Sequence, residues 1–145
     1  MGWLTKLLGL DLRRAKPYDT EDFVAQFNSE QSRIREAGSF KGVYYTDHVE
    51  RVKQFKREKR HAEAIDLLRK LVDATEAEAR TAGRGWGVAP WYYEQLAIIY
   101  RKEKRYADEV AILERYKAQP KAPGVGPSKL AGRLKKARKL ACSEP

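Results

Sequence analysis

Phe55-Lys56-Arg57-Glu58-Lys59-Arg60-His61-Ala62-Glu63-Ala64-Ile65-Asp66-Leu67-Leu68 returns 45 residues later as Tyr100-Arg101-Lys102-Glu103-Lys104-Arg105-Tyr106-Ala107-Asp108-Glu109-Val110-Ala111-Ile112-Leu113. An aromatic, a charged turn around Glu-Lys-Arg, a small residue and an aliphatic pair recur in register. A fixed period in this range predicts helix-turn-helix units stacked on one another. Stacked hairpins present a groove and a surface rather than an enclosed pocket, so the pattern points to binding.

The rest of the chain reads outward from this pair. Val49, Val52 and Phe55 form an apolar stripe before the first turn, and Thr46 is placed to cap that helix. After it, Ala64, Leu67, Leu68, Leu71 and Val72 predict a long helix over 61–81. Glu76 and Glu78 near its end oppose the helix dipole, which predicts an exposed end. Gly83, Gly85 and Gly87 follow without a preceding strand or a Gly-Lys-Ser/Thr ending, so a phosphate loop is not supported. That stretch reads as a flexible linker with Trp86 tucked against the helices.

Pro90 suits the first turn of a helix that is apolar nearly all round, from Trp91 to Tyr100. Its partner over 106–118 turns Val110, Leu113 and Tyr116 inward. Pro120, Pro123, Gly124, Gly126 and Pro127 mark a loop. A helix over 128–141, capped by Ser128, then places Leu130, Leu134 and Ala137 on one face. Upstream, Asp19 or Thr20 caps a helix over 20–37, with Phe23, Phe27, Ile34 and Ala37 on one side and Gly38 at its end. Residues 1–17 form an amphipathic segment: Trp3, Leu4, Leu7 and Leu8 can pack on the domain, on a partner helix or at a membrane surface.

The two copies resemble tetratricopeptide (TPR) repeats. Tyr93, Leu96-Ala97 and Tyr100 match the family's first helix, and Tyr106, Val110 and Leu113 its second. In the earlier copy His61, Ala64-Ile65, Leu68 and Leu71 match the second helix well, while His48, Arg51-Val52 and Phe55 match the first helix less closely. Glu109 stands where the family usually has Ala, and the period of 45 exceeds the family's usual spacing. The expected fold is all-α: a compact stack of two TPR-like repeats, about 46–81 and 90–118, within a single domain over 18–141. The flanking helices complete the stack, and the one over 128–141 caps it. No sheet is expected. The resemblance implies protein–protein binding in the groove lined by the first helices of each pair. The asparagines with which chaperone-binding members grip a terminal carboxylate are not at the groove positions.

Net charge is +10, unevenly spread: residues 18–50 carry −4, and residues 119–145 carry +6. The excess points to an acidic partner. Partner-binding residues are expected at Lys53, Lys56, Arg57, Trp91, Arg101, Lys102, Arg133 and Lys136. The leading reading is a non-enzymatic adaptor that binds an acidic or amphipathic segment of another protein through a basic groove. The alternative is nucleic-acid binding through that groove and the last helix. A third is peripheral membrane contact through residues 1–16. No metal-ligand spacing or nucleophile motif occurs, so neither catalytic residues nor a cofactor or metal are expected. His61 occupies an aromatic place in the motif and reads as a packing residue. The lone Cys142 excludes an intramolecular disulfide. The absence of a secretory leader and of a long apolar run points to the cytoplasm. The sequence leaves oligomeric state open.

Overall fold

A computed structural model describes residues 19–144, so the amphipathic segment over 1–17 lies outside the described residues. Contacts divide the chain into two units, Met1–Ser32 and Arg33–Pro145. Helix α1, Thr20–Ala37, spans the boundary. In the first unit, Asp19 Oδ1 accepts the amide hydrogens of Glu21 and Asp22 at 3.1 and 3.4 Å and so caps the helix. Phe23 and Phe27 stack at 6.4 Å and stay about half exposed. Of the apolar side anticipated for this helix, Ile34 is buried, in the last turn, which belongs to the second unit.

The second unit starts with a hairpin not anticipated from the sequence. β1 (Ser39–Phe40) pairs antiparallel with β2 (Val43–Tyr44) across Lys41-Gly42. Both turn residues have positive φ, 52° and 75°, as a two-residue hairpin turn matched to strand twist requires. A 3-10 turn, Tyr45–His48, leads into α2 (Val49–Arg57). Thr46 sits inside that turn and does not cap α2, whose N-cap is His48 without a side-chain bond. Then come α3 (His61–Ala82), α4 (Pro90–Lys102), α5 (Tyr106–Lys117) and α6 (Gly126–Cys142). The described residues are thus all-α apart from this two-stranded hairpin and one isolated bridge. None of their helices is long and apolar enough to cross a membrane.

The repeated stretch forms the same structure twice. Lys59 and Lys104 both adopt the left-handed conformation, at φ 55° and 57°. The next amide, of Arg60 or Arg105, donates 2.8 Å back to Phe55 or Tyr100. The Lys59 and Lys104 amides reach Lys56 and Arg101 at 3.2 and 3.0 Å. This pair of bonds is the Schellman helix stop, with lysine where glycine is usual. The arginine then turns over the aromatic five residues back: Arg60 over Phe55 and Arg105 over Tyr100, each at 4.7 Å. It also binds the acid three residues on, Glu63 at 2.6 Å or Asp108 at 2.7 Å. One side chain thereby closes the first helix and orients the first turn of the second.

One core runs through the hairpins. Val52, Leu68, Leu71, Val72, Tyr93, Leu96, Ile99 and Leu113 are buried in a single cluster. Leu130, Leu134 and Ala137 join it from α6, while Val110 is only half-buried. Helix α6 begins at Gly126, two residues before Ser128, whose hydroxyl bonds the Val125 carbonyl rather than an orphan amide. The end of α3 is not exposed: Glu76 and Glu78 are buried, 6% and 2% accessible. Their charge is met by side chains rather than by water, as described below. The glycine loop is exposed from Gly83 to Trp86 and packed at its end. Val88 is buried and its amide donates 3.0 Å to the Pro120 carbonyl, while the Ala89 amide donates 2.9 Å to Thr75 Oγ1. A Cβ on Gly87 would lie 2.0 Å from the Ala122 nitrogen, so this close approach of two loops needs glycine. Trp86, expected to be tucked in, is 41% exposed, with its indole N–H 3.4 Å from Glu78 Oε2.

Candidate functional site

The three helices α2, α4 and α6 each precede or close a hairpin, and side-chain bonds tie them together. Lys56 of α2 donates to Gln95 Oε1 of α4. Lys129 of α6 reaches Glu94 of α4 at 2.7 Å. The anticipated binding residues all lie on these helices, but they fall into different environments.

Lys56, Arg57 and Lys102 carry the uncompensated charge. Partial burial, and after it the like charge of Lys102, push the Lys56 ammonium below its usual range, while Glu94 acts in the other direction. Arg57 and Lys102 are exposed and make no ion pair among the described residues. Lys53 is neutralised by Glu50 at 2.8 Å on the same helix. Trp91 is half-buried and packs edge-on against Tyr92 at 5.1 Å. It lies eleven residues before Lys102 on α4, roughly 16 Å along the axis, so the two mark opposite ends of the face.

Arg101 and Arg133 are engaged inside the fold. Both converge on Glu109, which is wholly buried. Arg101 Nε donates to Glu109 Oε2 at 2.9 Å. Arg101 Nη2 and Arg133 Nε each stand 2.9 Å from Oε1, charge contacts whose angles fall outside hydrogen-bond geometry. Glu109 therefore joins α4, α5 and α6 at one point. Lys136, one turn beyond Arg133, is exposed and without an ion pair among the described residues. The remaining charges of α6 also divide: Arg138 pairs with Glu114, while Lys135 and Lys139 face solvent.

Two further buried carboxylates lock α3 to its neighbours. Glu76 accepts the Tyr93 hydroxyl at 2.8 Å and a bidentate pair from Arg115 at 2.8 Å each. Arg115 also reaches Asp73 at 2.6 Å. Glu78 accepts the hydroxyls of Tyr44 and Tyr45, the latter at 2.9 Å. Burial first, and the carboxylate bonds next, push the Tyr44 and Tyr93 phenols above their usual range. His61, read as a packing residue, is half-buried with Nδ1 3.3 Å from Glu103, across to the second turn.

These networks were not anticipated. One signal for them was present: Glu109 stands at the place that Ala64 fills, also wholly buried, in the first copy. A carboxylate at a buried motif place demands cations nearby, and Arg101 and Arg133 supply them. Among the described residues no cluster of His, Cys, Asp or Glu is arranged to hold a metal. No protein-family model, curated protein or solved structure matches this chain.

Proposed function

We propose that this chain is a non-enzymatic, TPR-like protein-interaction module that binds an acidic or amphipathic segment of another protein across the α2–α4 face. The observation that carries this reading is the meeting of Lys56 and Lys102. Lys56 on α2 and Lys102 on α4 act on each other as like charges, Glu94 offsets part of this, and no carboxylate of the described residues lies within ion-pair distance of either. An acidic side chain laid between them relieves that repulsion, and exposed Arg57 and half-buried Ile98 extend the face. Nucleic-acid binding is the second reading, supported by the exposed Lys135, Lys136 and Lys139 on α6. It is weakened by the burial of Tyr92, Tyr93, Tyr100 and Tyr116, which removes the tyrosines of α4 and α5 nearest the basic face from use as stacking platforms.

Lys56→Glu with Lys102→Glu separates the readings. Binding to a helical peptide with leucines on one face and glutamates on the other is expected to weaken at least about tenfold. Melting temperature should hold or rise in the neutral pair Lys56→Gln with Lys102→Gln, whereas the double reversal sets two carboxylates beside Glu94 and should lower it modestly. The Lys56 pKa is depressed in the fold, so at neutral pH its charge costs stability, a cost that disappears only as pH rises through the folded and then the unfolded value. Unchanged peptide affinity would place the interface elsewhere. Tight oligonucleotide binding with a steep salt dependence, and none to the peptide, would establish the second reading.

A further inference from the structure

Within the first unit, the apolar side of α1 is open to water. Phe23, Val24 and Phe27 are 52%, 52% and 53% exposed, and the rings of Phe23 and Phe27, one turn apart, stack on each other. Single apolar residues on a surface are ordinary, but three adjoining ones on one helix mark a face that something covers.

The charge of this stretch is equally one-sided. Residues 18–32 contain Asp19, Glu21, Asp22 and Glu30 and no basic residue, a net charge of −4. Glu21 and Asp22 are exposed and make no ion pair among the described residues. The same face of a second copy would set −4 against −4, and an anionic lipid surface would repel it. The matching occupant is apolar on one side and basic.

Residues 1–17 of this chain meet both demands. They carry +3, and Leu4, Leu8 and Leu12 recur every four residues, the spacing of one strip of a helix. Pro17 stops such a helix, and Pro17-Tyr18 leaves a two-residue connection to Asp19, the cap of α1. A connection that short sets two helices antiparallel. Residues equally distant from it then come level: Leu12 with Phe23, Leu8 with Phe27, Arg13 with Asp22 and Arg14 with Glu21. The lengths agree, since residues 3–16 as a helix extend about 21 Å and residues 20–32 about 20 Å.

We propose that residues 3–16 fold back as a helix along α1 of the same chain, with Leu8 and Leu12 on Phe27 and Phe23, and Arg13 and Arg14 beside Asp22 and Glu21. The chain thereby occupies this face itself and withholds these leucines from membranes and partner helices. The proposal does not depend on the α2–α4 binding face.

Hydrogen exchange of the full chain, followed by mass spectrometry, tests this. Amides of residues 5–16 are expected to exchange at least about tenfold more slowly than in an unstructured chain. Phe23→Gln with Phe27→Gln should remove that protection, while Ala25→Gln with Ser29→Gln, at exposed positions on the opposite side of α1, should leave it. Leu8→Gln with Leu12→Gln keeps every side chain of α1 in place, and should speed exchange across residues 20–32 several-fold. It remains informative if the phenylalanine pair unfolds α1. Absence of protection in the unaltered chain, protection that survives the phenylalanine pair, or exchange across residues 20–32 unchanged by the leucine pair overturns the proposal. So does protection that disappears on dilution, which assigns the face to a second copy, or that arises only with anionic vesicles, which assigns residues 1–16 to a lipid surface.

Discussion

Glu109 shows what one residue does in this chain. A buried carboxylate is expensive unless cations and hydrogen bonds meet it, and here Arg101 and Arg133 arrive from the two helices that flank its own. Both arginines are partly solvated, so loss of the carboxylate leaves two cations that can turn toward water. Glu109→Ala is therefore expected to cost about 2–4 kcal/mol, toward the lower end of what breaking a fully buried pair costs. Denaturant unfolding measures it, and a loss under about 1 kcal/mol would show that the clamp contributes little. The same geometry bears on the binding residues. Arg101 and Arg133 looked free because a basic residue on a polar helix face is ordinarily solvated. Their real environment depends on a glutamate that approaches only when three helices pack.

At the scale of elements, the repeated turn is the informative unit. Glu58-Lys59-Arg60 and Glu103-Lys104-Arg105 are identical triplets, and each folds into the same Schellman stop, arginine–aromatic stack and first-turn ion pair. The weak point is the lysine, because a side chain with a Cβ is strained at positive φ. Lys59→Gly or Lys104→Gly should each raise stability by about 0.5–1 kcal/mol, the strain relieved less the added chain entropy of glycine. A fall in melting temperature in either variant would show that the lysine stem contributes packing that outweighs its strain.

Helix α6 is the second element-scale test. Leu130, Leu134 and Ala137 cover the outer side of the second hairpin. Full burial of a leucine contributes roughly 1.5–3 kcal/mol, and α6 also brings Arg133 to Glu109. Removal of residues 120–145 also deletes the Pro120 carbonyl that receives the Val88 amide. The shortened chain should aggregate or melt well below the full one. If it melts like the full chain and stays monomeric, α6 is a dispensable basic tail.

Across the whole molecule, tyrosine burial sets the alkaline limit of the fold. Tyr44, Tyr45, Tyr92, Tyr93, Tyr100 and Tyr116 all have phenols pushed above the ordinary value of 10.0, with burial the first cause in each case. The folded state thus holds these protons more tightly than the unfolded state. Their contribution is fully present below the unfolded value and is lost as pH rises beyond it toward the folded values. Stability should fall steeply above about pH 10, with phenolate absorbance and loss of helical circular dichroism appearing together. The chain has eight tyrosines, so formation of more than two phenolates per chain while helicity is kept would mean that some of these six are open to solvent.

Among the described residues, the sequence by itself determined the helices, their boundaries to within about two residues, the two hairpin turns and the apolar faces other than that of α1, where Phe23 and Phe27 stay exposed. These are local properties: a 3.6-residue period, a stop signal and a repeat are complete within one stretch of chain. The tertiary structure alone decided which polar residues are buried. Glu76 and Glu78 looked like the exposed end of a helix because their dipole cost is local, while Arg115, Tyr44, Tyr45 and Tyr93 come from elsewhere in the chain. The basic face divided for the same reason. Lys56 and Lys102 formed no ion pair among the described residues, whereas Arg101 and Arg133 were drawn onto Glu109, since a charge binds what packing brings within a few ångströms of it.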